Sequence, residues 1–218
     1  MFKQALFTLS FLIFLGCSGD KKVDRSAYED ELESREIVHV TEAQLFEATL
    51  KVGDSIANLA QKKLGGSLQQ AIKNEGIEGA IKFCNLNAYN LVDSLETTYD
   101  AEIKRVSINY RNPSDKPDSI ETQLLEAYEY NVENGIPLTN NIQKIHQTDY
   151  LLFTKPIEIN NPLCLQCHGK IGKQLSEKTN ELIKELYPED LAVNYEMNDL
   201  RGMWSIKLSQ KKIIQIEF

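Results

Sequence analysis

Basic clusters are missing from this sequence. Its 32 Asp and Glu outnumber 24 Lys and Arg, for a formal net charge of −8, and no run of lysines or arginines offsets them. A chain of that balance repels phosphate backbones, which argues against nucleic acid as a partner. Long apolar runs are also missing, apart from one near the start, and no internal repeat is present, so neither a transmembrane bundle nor a solenoid is expected. Histidine and cysteine are scarce, at three and four among 218 residues. Any chemistry that needs imidazoles or thiols must therefore use a very short roster: His39, His146, His168, Cys17, Cys84, Cys164 and Cys167.

The one apolar run, Ala5 to Leu15, follows Lys3 and ends at Gly16-Cys17, after which polar residues take over. As a helix it would reach only about 16 Å, roughly half a bilayer core, so it suits a cleaved secretory signal over residues 1–16 better than a permanent span. Gly16-Cys17 resembles the lipobox of bacterial lipoproteins, although Phe14 and Leu15 stand where Leu and a small residue are usual. The expectation is lipidation at Cys17, with the acyl chains holding the protein on a membrane face in the periplasm or at the outer membrane. Residues 17–40 are charged and poor in bulky apolar side chains, which predicts a flexible linker. Residues 41–218 form the expected folded domain.

If Cys17 takes lipid, three cysteines remain. Cys164-Leu165-Gln166-Cys167-His168 places two thiols three residues apart with an imidazole directly after the second. That spacing lets the thiols bond the two vinyl groups of a porphyrin while the imidazole ligates its iron, so one covalent haem c is predicted there. A zinc site is the first rival, but a tetrahedron needs a fourth ligand from Cys84, His39, His146 or a carboxylate. A thioredoxin-like pair is the second; the stretch from Gly169 to Gly172 delays the helix that such a site requires. Cys84 then has no disulfide partner left within the chain.

Thr41 and Gln44 form a capping box ahead of an amphipathic run, Leu45, Ala48, Val52, Ile56 and Leu59, which Gly65-Gly66 is expected to end. A second helix is predicted from about Gln69 to Glu96, broken at Gly76, with Ile77, Ala80, Ile81, Cys84, Ala88, Leu91 and Leu95 on one stripe. The Cys84 thiol should face inward. A strand near Ile103 to Asn109, a proline loop from Arg111 to Pro117, and a helix from Ser119 to Glu133 follow. Strands are then predicted over Asn141–Gln147 and Tyr150–Ile159, a helix over Ser176–Leu186, and a terminal hairpin joining Trp204–Leu208 to Ile214–Phe218. Helices first and antiparallel strands later indicate α+β architecture.

The second axial position of the iron has several chemical candidates: Cys84, Met197, Met203, His146 and His39, or an open site. Each has a plain alternative as a core or solvated residue. The haem propionates also need counter-charges, and Arg105, Arg111 and Arg201 are the candidates.

Taken together, Ala80-Ile81-Lys82-Phe83-Cys84, Arg105, Arg111-Asn112-Pro113, Cys164-Leu165-Gln166-Cys167-His168-Gly169, Tyr187-Pro188 and Asp199-Leu200-Arg201-Gly202 resemble a bacterial family of haem-c proteins. The resemblance runs from about Thr41 to the C-terminus, with Asp115 standing where Asn would be expected. It implies a PAS-like antiparallel sheet with a long helical N-terminal part, and a haem iron held between His168 and a Cys84 thiolate. Thiolate favours ferric iron, so a low midpoint potential is expected. The implied role is a redox or small-gas sensor that signals through a protein partner, since the chain contains no kinase or cyclase segment. The alternative is a periplasmic low-potential electron-transfer cytochrome. Enzymatic chemistry is not expected, because only His146 could serve as an acid–base group over open iron.

Overall fold

Thr41 opens the first helix through the capping box read from its sequence: Gln44 N donates to Thr41 Oγ1 at 3.3 Å, and Thr41 N donates to Gln44 Oε1 at 2.9 Å. The computed structural model describes residues 39–87 and 90–218, together with Ser26 and Glu29. The signal segment, Cys17 and most of the linker lie outside the described residues, as does Ala88.

Helix α1 runs Glu42–Asn87, with a single non-helical break at Gly76, where φ is 72°. It passes straight through Gly65-Gly66, which were expected to end it. Two helical glycines cost about 1 kcal/mol each. Each large apolar side chain that α1 buries returns about 1.5–3 kcal/mol, so the helix survives until a residue with positive φ turns it. Its buried stripe is Leu45, Ala48, Val52, Ile56, Ala57 and Ala60. Leu59 is a correction, since it is 42% exposed at the edge of that stripe. Helix α2 covers Asn90–Tyr99 and strand β1 covers Ala101–Val106.

The proline loop holds one 3-10 turn, Pro113–Asp115, capped by the Asn112 side chain. Asp118 then caps helix α3, Ser119–Glu133, by accepting from Ile120 N and Glu121 N. Strands β2, Asn141–Lys144, and β3, Tyr150–Glu158, form a hairpin. A 3-10 turn at Pro162–Cys164, a four-residue helix α4 at Leu165–His168 and helix α5 at Glu177–Leu186 follow. Strand β4 is Leu200–Ser209.

The sheet is antiparallel throughout in the order β1-β4-β3-β2, so the first strand lies beside the last. This is an α+β, PAS-like arrangement. Alternation along the strands separates the two faces. Ile103, Leu151, Phe153, Trp204, Ile206 and Leu208 meet α1. On the other face Val106 and Met203 meet Leu125 and Tyr128 of α3. That second interface is partly polar: Ser205 Oγ donates to Glu121 at 2.6 Å, and the Tyr128 hydroxyl lies 2.9 Å from Thr154 Oγ1.

No terminal hairpin forms. Gln210–Glu217 is a helix, α6, capped by Ser209, whose Oγ accepts from Lys212 N, and it buries Ile213 against the α1 face. β4 is already paired on both sides, by β1 and β3, so a returning strand would find no free edge beside it.

Candidate functional site

β1 and β3 leave the sheet at the end where β4 enters it, since Val106 pairs with Met203 and Glu158 with Leu200. The loops gathered there carry the site. Asn161 caps the turn ahead of Cys164 by accepting from Leu163 N at 2.9 Å. The turn continues directly into α4, and helical spacing of three and four residues puts Cys164, Cys167 and His168 on one face. Gly169 closes the turn; a Cβ there would stand 2.5 Å from the Leu165 carbonyl oxygen.

His168 Nδ1 lies 2.8 Å from the Ala192 carbonyl oxygen. A carbonyl only accepts, so Nδ1 carries the proton and the lone pair sits on Nε2. Burial, followed by the nearby charges of Arg201 and Arg111, holds the imidazole well below the usual histidine range. The ring is therefore neutral, which is the form that ligates metals. Tyr195 meets it edge-on at 6.2 Å.

Arg111 organises the backbone around this ring. Its Nη2 donates to the carbonyls of Cys167, at 2.7 Å, and Ala192, at 3.0 Å, while its Nε donates to Asp190 at 3.1 Å. Asp190 in turn accepts from Ala192 N at 2.9 Å. The carbonyl that orients His168 is thus itself held by a nearly buried ion pair.

Cys84 reaches the site from beyond the Gly76 break. That arm of α1 packs on α5 through Ile81, Leu175, Ile183 and Tyr187, and half-buried Cys167 packs against the same cluster. Asn85 Nδ2 donates to the Leu186 carbonyl at 3.3 Å. Burial pushes the Cys84 thiol up, opposed by Arg105 and Arg111. It pushes Cys167 up to about 11, again opposed by Arg111 and reinforced by Cys84 and Cys164. All three thiols are free. No three His, Cys, Asp or Glu among the described residues close into a metal-binding cluster.

His146, Met203 and Met197 lie away from these residues. His146 is exposed in the β2–β3 turn, at the far end of the sheet. Met203 is fully buried against α3, Met197 is exposed in a turn, and His39 is exposed ahead of α1.

The three arginines differ sharply. Arg105 is exposed and lies over the Trp204 ring, 5.9 Å from its centroid. Arg201 donates from Nη1 to the Asn109 carbonyl at 3.2 Å and lies 5.5 Å from the Tyr195 ring centroid. Its Nε is buried with no hydrogen-bond partner. Leaving a buried donor unmade costs about 1–3 kcal/mol, and more when the group is charged.

Residues 24–209 match the family described as Tll0287-like. The chain belongs to the Tll0287-like family. Among solved structures it is similar to the crystal structure of the cyanobacterial heme-protein Tll0287, at 17% identity and a TM-score of 0.53 over 78% of this chain and 98% of that one. At that identity the likeness speaks for a shared fold. No curated protein matches the chain.

Family membership bears out the resemblance read from the sequence, and the fold bears out its α+β class. The residues this Tll0287-like chain brings together also fit a covalent porphyrin: two thiols one turn apart, an imidazole with a free Nε2, a third thiol from another element, and a buried guanidinium N–H lacking an acceptor. Asp190, the Ala192 carbonyl and Tyr195 were not legible beforehand. Nothing in the sequence links Arg111 to an acid 79 positions away.

Proposed function

We propose that this chain is an exported c-type haem protein, lipidated at Cys17, that serves as a redox or small-gas sensor and passes its state to a protein partner. The reading rests above all on one observation: the arm of α1 that carries Cys84 packs through Ile81 against the cluster that Cys167 joins, near enough for the Cys84 thiol to act on that of Cys167, and the imidazole that follows Cys167 has its free nitrogen at Nε2. In this reading Cys164 and Cys167 would hold one haem covalently, and His168 Nε2 and the Cys84 sulfur would be the ligands to its iron. The solved relative's description as a heme-protein supports it.

When bound, the haem supplies a one-electron couple and an iron position that a small gas such as nitric oxide or carbon monoxide can take. The chain's own residues set the asymmetry of the site. Arg111 and Asp190 fix the Ala192 carbonyl and hence the His168 ring. Cys84 has no comparable clamp, and burial favours its protonated, weakly ligating thiol. The sulfur side is therefore the side that lets go. The alternative, a low-potential electron-transfer cytochrome, is favoured by the same clamp if ligation stays constant in both redox states. His146, the one candidate acid–base group, stands at the other end of the sheet, which weighs against chemistry over the iron.

The deciding experiment is an anaerobic redox titration of haem-loaded protein with and without carbon monoxide, repeated on C84A. Loss of thiolate signals on reduction, reversed on reoxidation, is the expected result. Unchanged ligation through the cycle would favour the carrier, and C84A spectra identical to the parent would remove Cys84 from the iron.

A further inference from the structure

We propose that Arg201 is the residue that receives a carboxylate of the bound group, through its buried Nε–H, and that Arg111 is not. The proposal rests on the haem reading above and sharpens it, because a porphyrin of this class carries two carboxylates.

The inference follows from how each guanidinium is spent. Arg111 gives Nε and Nη2 to protein acceptors already in place. Arg105 is exposed over Trp204. Arg201 alone holds an N–H that is sealed from water and unmatched, while its Nη1 is committed to Asn109. Buried polar groups in native structures nearly always find a partner, and no acceptor among the described residues serves this one, so the acceptor we assign to it is a bound group.

Charge identifies its class. Asp190 is bonded to Arg111, and Asp93, Glu96 and Asp115 line the pocket beside Arg105, with Asp115, which has contacts of its own, also acting on Arg201. The unmet N–H belongs to a guanidinium cation, and an anionic oxygen is the acceptor that completes it best.

Position fits as well. Arg201 lies over Tyr195, and Tyr195 abuts the His168 ring, so the guanidinium stands one aromatic ring away from the imidazole. The backbone beside it is pinned: at Gly202, φ is 156° and a Cβ would stand 2.4 Å from the Val106 carbonyl oxygen. Arg201 is the second residue of β4, and through it the cofactor's carboxylate would be tied to an inner strand of the sheet.

The test uses the full haem-loaded chain, with covalent attachment first verified from the mass of the denatured protein. Resonance Raman then reads the propionate-bending bands, and a spectroelectrochemical series reads the midpoint potential against pH. In the parent, the cation keeps the carboxylate ionised and the potential flat across the neutral range. In R201Q the carboxylate titrates within that range, so the potential gains a step, rising as pH falls, and the bending band shifts. R201K restores the flat potential while leaving the band shifted, because it returns the charge without the planar fork. An R201Q protein with unmoved bands and a flat potential overturns the assignment. If R201Q does not fold, an R201K band at the parent position overturns it instead. Absence of covalent haem from the parent overturns the haem reading itself, a separate and earlier failure.

Discussion

The Ala192 carbonyl oxygen and His168 Nδ1 are 2.8 Å apart, and this contact decides which imidazole nitrogen faces outward. In the haem-free chain, nitrogen-detected NMR should show His168 as the neutral Nδ1–H tautomer at pH values where a free histidine is already half charged. Because burial and the arginines lower its folded value, the unfolded chain takes up this proton first. Stability should therefore fall as pH drops below about 6.5, by up to about 1.4 kcal/mol per unit for this group. A His168 resonance that titrates in the ordinary histidine range would contradict this.

Asp190 supports that contact from behind. In D190N the Arg111 guanidinium loses its counter-charge in a nearly buried setting, and the Ala192 amide keeps at best a weaker acceptor. The expected loss is about 3 kcal/mol, where the range for a charged hydrogen bond meets that for a broken buried pair. Urea unfolding of parent and variant measures it, and equal midpoints would show the clamp to be idle.

At Gly53, α1 lies close against the sheet. A Cβ there would stand 2.3 Å from Cγ of Phe153, a ring that is itself fully buried. G53A should cost about 1–3 kcal/mol by overpacking. Adding F153L should recover part of that loss in the same thermal melts; a purely additive double variant would speak against the clash.

Asp54 links α1 to β3. Its carboxylate accepts from Lys155 Nζ at 2.7 Å and from Asn140 at 2.9 Å, and the Lys155 hydrogen bond is the largest of the effects that lower its pKa. A lowered acid stabilises the fold above its unfolded value of 3.8 and loses that contribution as pH falls through the folded value. The pair is more than a third exposed on the Asp54 side, so a D54N/K155M double-mutant cycle should give only about 0.5 kcal/mol of coupling near neutrality. The coupling should vanish in strong acid.

Local signals in the sequence were legible where one feature dominated. The capping box at Thr41, the span of α3 and the start of α5 at Ser176 came through because cap and periodicity agreed. The run from Cys164 to His168 could be singled out because the chemistry read from it is contained in five adjacent residues. Gly65-Gly66 misled because glycine ends a helix only where the backbone turns, and here Gly76 is the residue that turns. The last ten residues alternate like a strand, yet strand pairing needs a partner edge, and that information lies in the order of the whole sheet. The arginines could be named in advance but not ranked, since their ranking depends on acceptors brought in from distant loops.

The break at Gly76 has a consequence for how this chain can vary. In an unbroken helix, Ala60 and Ala80 would be separated by about 200° of rotation at 3.6 residues per turn, and every residue added between them would swing one stripe against the other. The glycine resets that phase. The proximal arm can keep its seat on the sheet while the distal arm presents Ala80, Ile81 and Cys84 at an angle of its own, so scaffold and thiol are free to drift separately along one continuous stretch of backbone.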